Sequence, residues 1–127
     1  MTGLDTGFFV ELLRGESAAV AIWEALIDDS EEATVSCLTL LEIRTAWYEG
    51  AIEGAEVLLE AIPAVCRLVW IEDLELLSSA AGLSHGLEIP AGDALILAGF
   101  IREKAETIYT TDNHLAAYKK KGIRVAN

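Results

Sequence analysis

The sequence predicts an α/β fold in a single domain, with a parallel central sheet of four or five strands flanked by helices. Short β-prone runs alternate along the chain with longer segments whose apolar residues recur at the helical spacing of three and four. The chain has 127 residues, about the length of one domain, and 53% of them are hydrophobic, enough for a sizeable core. No repeat, linker or low-complexity segment interrupts the alternation.

Strands are predicted where short runs of β-branched, aromatic or other apolar residues end at a polar or charged residue. The predicted strands are residues 1–4, 33–37, 67–73, 107–112 and 123–127. Helices are predicted where the spacing is helical and where Gly or Pro provides a stop, as at Gly15, Gly50 and Pro63. The predicted helices are residues 7–13, 18–29, 40–50, 54–62, 74–87, 90–105 and 113–122. Residues 94–101 are apolar almost all round, which predicts a central, buried helix.

Composition narrows the function classes. The net charge of −12 argues against tight nonspecific binding of nucleic acid, although bound divalent metal ions would reverse the field locally in a nucleic-acid enzyme. No uncharged apolar run reaches about 18 residues and no basic stretch precedes an apolar one at the N-terminus, so we expect neither a membrane span nor a signal peptide. Cys37 and Cys66 lie in apolar segments, which favours buried free thiols and a cytoplasmic location.

The segment GLDTGFF, residues 3–9, contains an Asp-Thr-Gly sequence like that of the aspartic protease active-site loop. An aspartic protease needs this sequence in an all-β setting, whereas here residues 8–13 continue as a helix. Asp5 instead follows a predicted strand and precedes a helix. That position is at the carboxyl edge of a parallel sheet, where open α/β folds bind ligands.

Three further acids occupy similar strand-to-helix junctions: Glu42, Asp93 and Asp112. Each acid also has a purely structural explanation. Glu42 forms a capping-box sequence with Thr39, and each of the three aspartates is a candidate N-cap. Jointly, a parallel sheet would bring all four acids to one edge, where they would repel each other without a cation. Oxygen ligands of this charge suit Mg²⁺ or Mn²⁺ rather than zinc.

Four segments, in order, resemble the motifs of PIN-domain ribonucleases of the VapC toxin type. They are LDTGFF, TLLEI, GLEIPAGDALILAGF and TIYTTDNHL. The resemblance spans the whole chain and implies one PIN domain over residues 1–127. It also implies a metal-dependent endoribonuclease that serves as the toxin of a toxin–antitoxin pair, with an RNA substrate, a homodimeric state and a small VapB-like antitoxin.

The resemblance assigns roles by position. Asp5, Glu42, Asp93 and Asp112 would ligate Mg²⁺ or Mn²⁺ directly or through water. Thr110 would orient the fourth acid, and Thr6 would do the same for Asp5. The ions would activate a water molecule that attacks the phosphodiester in line. Some family members carry another acid just after the fourth, where Asn113 and His114 stand here, so the number of metal ions stays open.

Two other functions stay open at this point. The first is a PIN-like module that binds RNA or protein without cutting. The complete set of four acids argues against it, and a metal titration would separate it from a nuclease. A receiver-type phospho-acceptor would need an acidic pair at the first strands and a lysine at the end of the last strand, and YTTD has no such lysine.

Several other side chains have two possible roles each. His85 and His114 suit surface or packing roles. Arg14 and Arg44 suit either an RNA phosphate or a solvated helix face. The basic residues 119–121 with Arg124 could steer RNA or could complement a helix dipole. The three tryptophans, Trp23, Trp47 and Trp70, suggest packing, and Trp47 and Tyr48 beside Arg44 form a candidate partner-binding face.

Overall fold

A single sheet of five parallel strands organises the chain, whose computed structural model describes residues 1–118 and the backbone of 124–126. The strands are β1 (Thr2–Leu4), β2 (Ala33–Ser36), β3 (Arg67–Val69), β4 (Thr107–Tyr109) and β5 (Arg124–Ala126). Their spatial order is β3-β2-β1-β4-β5. The predicted fold class is confirmed. Because the order reverses between β1 and β4, this junction is the point where a ligand crevice is expected in an open parallel sheet.

Seven helices connect the strands in the described part of the chain. They are α1 (Thr6–Leu13), α2 (Ser17–Ile27), α3 (Cys37–Tyr48), α4 (Ala55–Val65), α5 (Leu74–Leu87), α6 (Ala91–Arg102) and α7 (Asn113–Ala116). No helix among the described residues is both long enough and apolar enough to cross a membrane.

Two apolar clusters fill the space between the sheet and its helices. One includes Phe9, Ile43 and Ile62, and the other includes Leu97 and Phe100. Residues 94, 96–98 and 100 of α6 are all buried, as the apolar pattern predicted. The close approach of α6 to β1 depends on Gly3, since a Cβ there would lie 2.7 Å from the Phe100 ring. This contact positions α6, and with it the acid in its first turn.

Several element boundaries differ from the predicted ones. β3 ends at Val69 instead of residue 73, because it is an edge strand and β2 offers it only three partners, Thr34–Ser36. α4 continues through Pro63, which is exposed and in the last turn, so its missing N–H removes only one hydrogen bond there. α6 ends three residues early, before Lys104 at φ 60°. The predicted helix 113–122 is observed only to residue 116, and its residues 119–122 lie outside the described part.

Both cysteines are free thiols, as expected. Cys66 is buried and Cys37 is half-buried. Burial raises the pKa of the Cys66 thiol to about 12. This thiol therefore stays protonated and behaves as an apolar core group.

Candidate metal centre

The four sequence-predicted acids line one pocket of about 140 Å³ at the carboxyl edge of the sheet. The pocket lies beside the point where the strand order reverses, because Asp5 follows β1 and Asp112 follows β4. The remaining lining residues are Thr6, Gly7, Ile96, Thr111 and Leu115. The structure thus brings Asp5, Glu42, Asp93 and Asp112 together from four separate strand-to-helix junctions.

Asp5 is the most buried of the four acids, with 4% of its surface exposed. It is the N-cap of α1, and its Oδ1 accepts a 3.0 Å hydrogen bond from the backbone N–H of Phe8. Its Oδ2 accepts a hydrogen bond from the hydroxyl of Thr110. Burial raises the pKa of Asp5 above its usual value, and the negative charges of Asp112 and Glu42 raise it further, against the two hydrogen bonds. Asp5 therefore combines a local capping role with an unfavourable accumulation of negative charge.

Glu42 is held by a contact that the sequence did not predict. The N-cap of α3 is Ser36, whose hydroxyl accepts the N–H of Leu38 at 3.1 Å. Thr39 therefore lies inside the helix, and the predicted capping box with Glu42 is wrong. The hydroxyl of Thr6 donates to Glu42 Oε1 at 2.7 Å, and the same hydroxyl oxygen lies 3.2 Å from Thr39 Oγ1. Thr6 thus supports Glu42 and not Asp5, which corrects its expected partner.

Asp93 lies in the first turn of α6, but the N-cap of that helix is Pro90. The predicted N-cap role of Asp93 is therefore wrong, and its carboxylate is free to face the pocket. Burial raises the pKa of Asp93, and the charge of Asp112 adds to the rise, while the contact with His114 opposes it. No local backbone role accounts for the position of this acid.

Asp112 is the N-cap of α7, where its Oδ1 accepts the N–H of His114 at 2.7 Å. Its own N–H donates to Thr110 Oγ1 at 2.8 Å. Because the same Thr110 hydroxyl donates to Asp5, this threonine joins the first acid to the fourth. The expected role for Thr110 was to orient the fourth acid through its hydroxyl. The observed contacts hold the backbone of Asp112 and the carboxylate of Asp5.

His114 lies against two of the pocket acids, a contact that the sequence did not predict. Its Nδ1 lies 2.8 Å from Asp93 Oδ2 and 3.2 Å from Asp112 Oδ1. One ligand-type atom from each of the three residues lies within 4.8 Å of the others. The available signal was its position two residues after Asp112, where the family resemblance allows another acid. His85, by contrast, is an exposed residue in the last turn of α5, as expected.

The chemistry of this donor set fits a hard divalent cation. Four carboxylates face one small pocket, and oxygen ligands are what Mg²⁺ and Mn²⁺ prefer. Within residues 1–118, the ion pairs of these acids are those of Asp93 and Asp112 with His114. Burial raises the pKa values of Asp5 and Asp93, and the negative charges of neighbouring acids raise them further.

The sequence matches the profile of the PIN domain family over residues 4–121. The chain belongs to the PIN domain family. No curated protein matches it significantly in sequence. The family assignment agrees with the parallel sheet and with the acids gathered at its carboxyl edge.

Solved structures similar to this PIN domain cover nearly its full length. VapBC2 from Rickettsia felis, bound to a promoter DNA fragment, has a chain 17% identical with TM-score 0.75, covering 99% of this chain and 97% of that one. VapC20 from Mycobacterium tuberculosis is described as a sarcin–ricin loop cleaving toxin. It is 21% identical, with TM-score 0.71, and the match covers 98% of this chain and 99% of that one. FitAcB from Neisseria gonorrhoeae is 23% identical, with TM-score 0.68, and the match covers 100% of this chain and 97% of that one. At these identities the similarity concerns the fold.

The other sequence candidates lie on the surface of the PIN domain or in its core. Arg14 is exposed at the end of α1. The guanidinium of Arg44 lies over the rings of Trp47 and Tyr48, 5.3 and 5.7 Å from their centroids. Trp23 packs edge-on against Phe9, whereas Trp70 is 53% exposed. The basic residues 119–121 lie outside the described part of the chain, as does the side chain of Arg124.

Proposed function

We propose that this PIN domain is a Mg²⁺- or Mn²⁺-dependent endoribonuclease, and that it serves as the toxin of a toxin–antitoxin pair. The observation that carries the proposal is the convergence of Asp5, Glu42, Asp93 and Asp112 on one pocket at the carboxyl edge. Such a cluster of carboxylates is costly to fold without a cation, since neighbouring acids add to the effect of burial in raising the pKa values of Asp5 and Asp93. Helix capping accounts for the positions of Asp5 and Asp112, whereas Asp93 and Glu42 do not cap the helices in which they lie.

The four acids would hold the metal, directly or through water. A bound ion of this class lowers the pKa of a coordinated water and stabilises the negative charge that develops on a phosphodiester. Thr110 keeps Asp5 in place through its hydroxyl and fixes the backbone of Asp112. Thr6 does the same for the carboxylate of Glu42. The first turn of α6 brings the carboxylate of Asp93 to the pocket.

The charge of the chain indicates how RNA would bind. With 21 acidic and 9 basic residues, the protein as a whole repels a polyanion. Binding should therefore depend strongly on the metal, whose charge reverses the local field at the pocket. We expect RNA to be retained weakly in EDTA and more tightly with Mn²⁺ or Mg²⁺.

The toxin assignment rests on the family and on the described complexes. A solved structure described as a toxin–antitoxin complex from Klebsiella pneumoniae is also similar, and VapC20 is described as a toxin that cleaves the sarcin–ricin loop. By analogy, we propose a small antitoxin that covers the acidic pocket, a homodimeric state and a cytoplasmic location for this chain. The analogy concerns the class of partner only, because the neighbours share no more than 23% identity with this chain.

Substitution of Asp93 by Asn tests the proposal. Asp93 is not an N-cap, so the change leaves the start of α6 intact while it removes one carboxylate from the pocket. We expect cleavage of single-stranded RNA with Mn²⁺ to fall at least about 100-fold, since loss of a ligand should cost at least as much as loss of a supporting residue. In EDTA the melting temperature should stay equal or rise, because repulsion with Asp112 is relieved.

The matched control is Glu75→Gln, since Glu75 also lies in the first turn of a helix but is exposed and outside the pocket. This variant should cut RNA like the wild type. An Asp93→Asn protein that cuts at near wild-type rate would contradict the proposed mechanism. A variant whose activity only follows its folded fraction would instead indicate a structural role for Asp93.

Metal binding provides a second test. A ligand at 100 times its dissociation constant stabilises the folded state by about 2.7 kcal/mol, which a domain of this size shows as a rise of several degrees in melting temperature. We expect this rise with Mn²⁺ for the wild type and a much smaller one for Asp93→Asn. If metal binding and RNA binding are both present but no RNA is cut, the chain is a binding module and not a nuclease.

A further inference from the structure

We propose that His114 is itself a metal ligand, which makes the centre a mixed nitrogen–oxygen site that favours Mn²⁺ over Mg²⁺. The inference rests on the proposed function, because it concerns the same proposed metal centre. It adds a specificity-determining residue that the four-acid description does not contain.

The distances around the imidazole carry the inference. Adjacent ligands of an octahedral ion bound at about 2.1 Å are separated by about 3.0 Å, which is the bond length multiplied by the square root of two. His114 Nδ1 lies 2.8 Å from Asp93 Oδ2 and 3.2 Å from Asp112 Oδ1, close to that separation on both sides. The three ligand-type atoms also all lie within 4.8 Å of one another. The imidazole nitrogen therefore has the spacing of a ligand that is adjacent to a carboxylate oxygen on each side in one coordination sphere.

A packing role does not explain this placement. The His114 side chain is 53% exposed, so little of the imidazole is buried against the core. Its Nδ1 faces two carboxylate oxygens at once, although one N–H can donate a straight hydrogen bond to only one of them. The backbone anchors the ring at this position, because the N–H of His114 donates to the carboxylate of Asp112 at 2.7 Å.

The chemical consequence is a change in metal preference. Mg²⁺ is bound almost entirely through oxygen, whereas imidazole suits transition metals. Among first-row divalent ions the affinity of such sites rises from Mn²⁺ towards Co²⁺ and Ni²⁺. An aspartate in place of His114 would give an all-oxygen site and remove this preference. The ratio of Mn²⁺ to Mg²⁺ affinity is thus the property that His114 should control.

The direct test is pulsed electron paramagnetic resonance of bound Mn²⁺, which detects a coordinated nitrogen and changes when histidine is labelled with ¹⁵N. The wild type should show a histidine nitrogen on Mn²⁺, and His114→Gln should bind Mn²⁺ without it. The chain contains two histidines, so His85→Gln is a matched control and should keep the signal. This readout does not depend on RNA cleavage.

A competition titration provides the second readout. Mg²⁺ is added to the Mn²⁺-loaded protein, and the ratio of the two dissociation constants is compared between the wild type and His114→Asp. We expect the preference for Mn²⁺ to fall about tenfold or more in the variant. An unchanged ratio would overturn the inference even if both affinities rise with the added negative charge.

The outcomes separate the inference from the proposed function. If Mn²⁺ binds the wild type without a nitrogen signal, and Asp93→Asn abolishes that binding, His114 is not a ligand and the nuclease proposal stands. If the signal persists in His114→Gln, the assignment to His114 is wrong. If Mn²⁺ binding is absent or is unaffected by Asp93→Asn, both proposals fail together.

Discussion

Asp5 and Asp73 have the same local role but opposite electrostatic surroundings. Each is the N-cap of a helix, and each accepts a hydrogen bond from the amide three residues later, Phe8 at 3.0 Å and Leu76 at 2.9 Å. Asp73 is exposed and pairs in two places with Arg102, at 2.8 and 3.2 Å, which lowers its pKa. Asp5 is buried beside other acids, and its pKa is raised.

α6 reaches both regions, but the raised pKa of Asp5 comes from its burial and from the charges of Asp112 and Glu42. α6 contributes Asp93 to the acidic pocket from its first turn, and from its last turn it contributes Arg102 to Asp73. One aspartate cap is thus paired with a cation, and the other is surrounded by carboxylates. A capping position alone therefore does not distinguish a structural aspartate from a candidate metal ligand. The side chains delivered by distant elements make that distinction.

The largest expected difference between the two caps is in catalysis. Asn preserves a helix cap about as well as Asp, so Asp5→Asn and Asp73→Asn should both fold. Cleavage of single-stranded RNA with Mn²⁺ should fall at least about 100-fold for Asp5→Asn, which loses a proposed ligand. Asp73→Asn should stay within about twofold of the wild type because it lies outside the pocket. Equal losses of activity in the two variants would contradict the proposed role of Asp5 as a metal ligand.

The next effect concerns the hydroxyl that supports Asp5. Thr110→Val keeps the shape of the side chain but removes the donor to Asp5 and the acceptor for the Asp112 N–H. We expect the variant to lose about 1–3 kcal/mol of unfolding free energy, because buried polar groups are left without partners. Its Mn²⁺ affinity should fall about tenfold, because Asp5 loses the hydrogen bond that positions it.

Thr110→Ser retains the hydroxyl and should recover most of the lost Mn²⁺ affinity, as measured by calorimetric titration. If Thr110→Val binds Mn²⁺ as tightly as the wild type, the hydroxyl of Thr110 is not needed to position Asp5. Asp73 has no comparable dependence, since it is about half exposed and pairs with the cation Arg102.

The pH dependence of stability should differ in sign between the caps. The folded pKa of Asp5 is above its usual 3.8, so its contribution is complete below that pH and is lost as the pH rises through the raised pKa. The folded pKa of Asp73 is below 3.8, so its contribution is present above that pH and is lost as the pH falls through the lowered pKa.

Melting temperatures in EDTA, from about pH 3 to about pH 7, check these signs. Relative to the wild type, Asp5→Asn should gain stability as the pH rises, because it lacks the acid that becomes unfavourable. Asp73→Asn should lose stability relative to the wild type over the same change. Differences that run in the same direction for both variants would be inconsistent with the opposite pKa shifts.

The smallest effect is expected for the ion pair itself. Arg102→Gln removes the charge beside Asp73, and the pKa of Asp73 should move back towards its usual value. Because the pair is solvent-exposed, the melting temperature near neutral pH should change by no more than about 2 °C. RNA cleavage should be unchanged. A shift of many degrees would mean that this pair stabilises the fold more than an exposed pair normally does.

Local sequence patterns were sufficient for most of the fold. Residues 74–87 were predicted as a helix with the same bounds that α5 has, and the apolar run after Asp93 is a buried helix as expected. Hydrophobic periodicity reports which face of a segment is buried, and alternation of strands with helices implies a parallel sheet. The same reasoning placed the four acids at one edge of the sheet, because all strands of a parallel sheet end there.

The tertiary structure alone decided which atoms meet inside the pocket. Thr6 contacts Glu42 across 36 residues, Thr110 contacts Asp5 across 105, and His114 reaches Asp93 across 21. Such contacts depend on how helices are positioned over the sheet, including the close approach that Gly3 permits between β1 and α6. Sequence spacing determines which residues share an edge, since that follows from backbone direction. Hydrogen-bond partners require positions accurate to a fraction of an ångström, and only the packed core determines those.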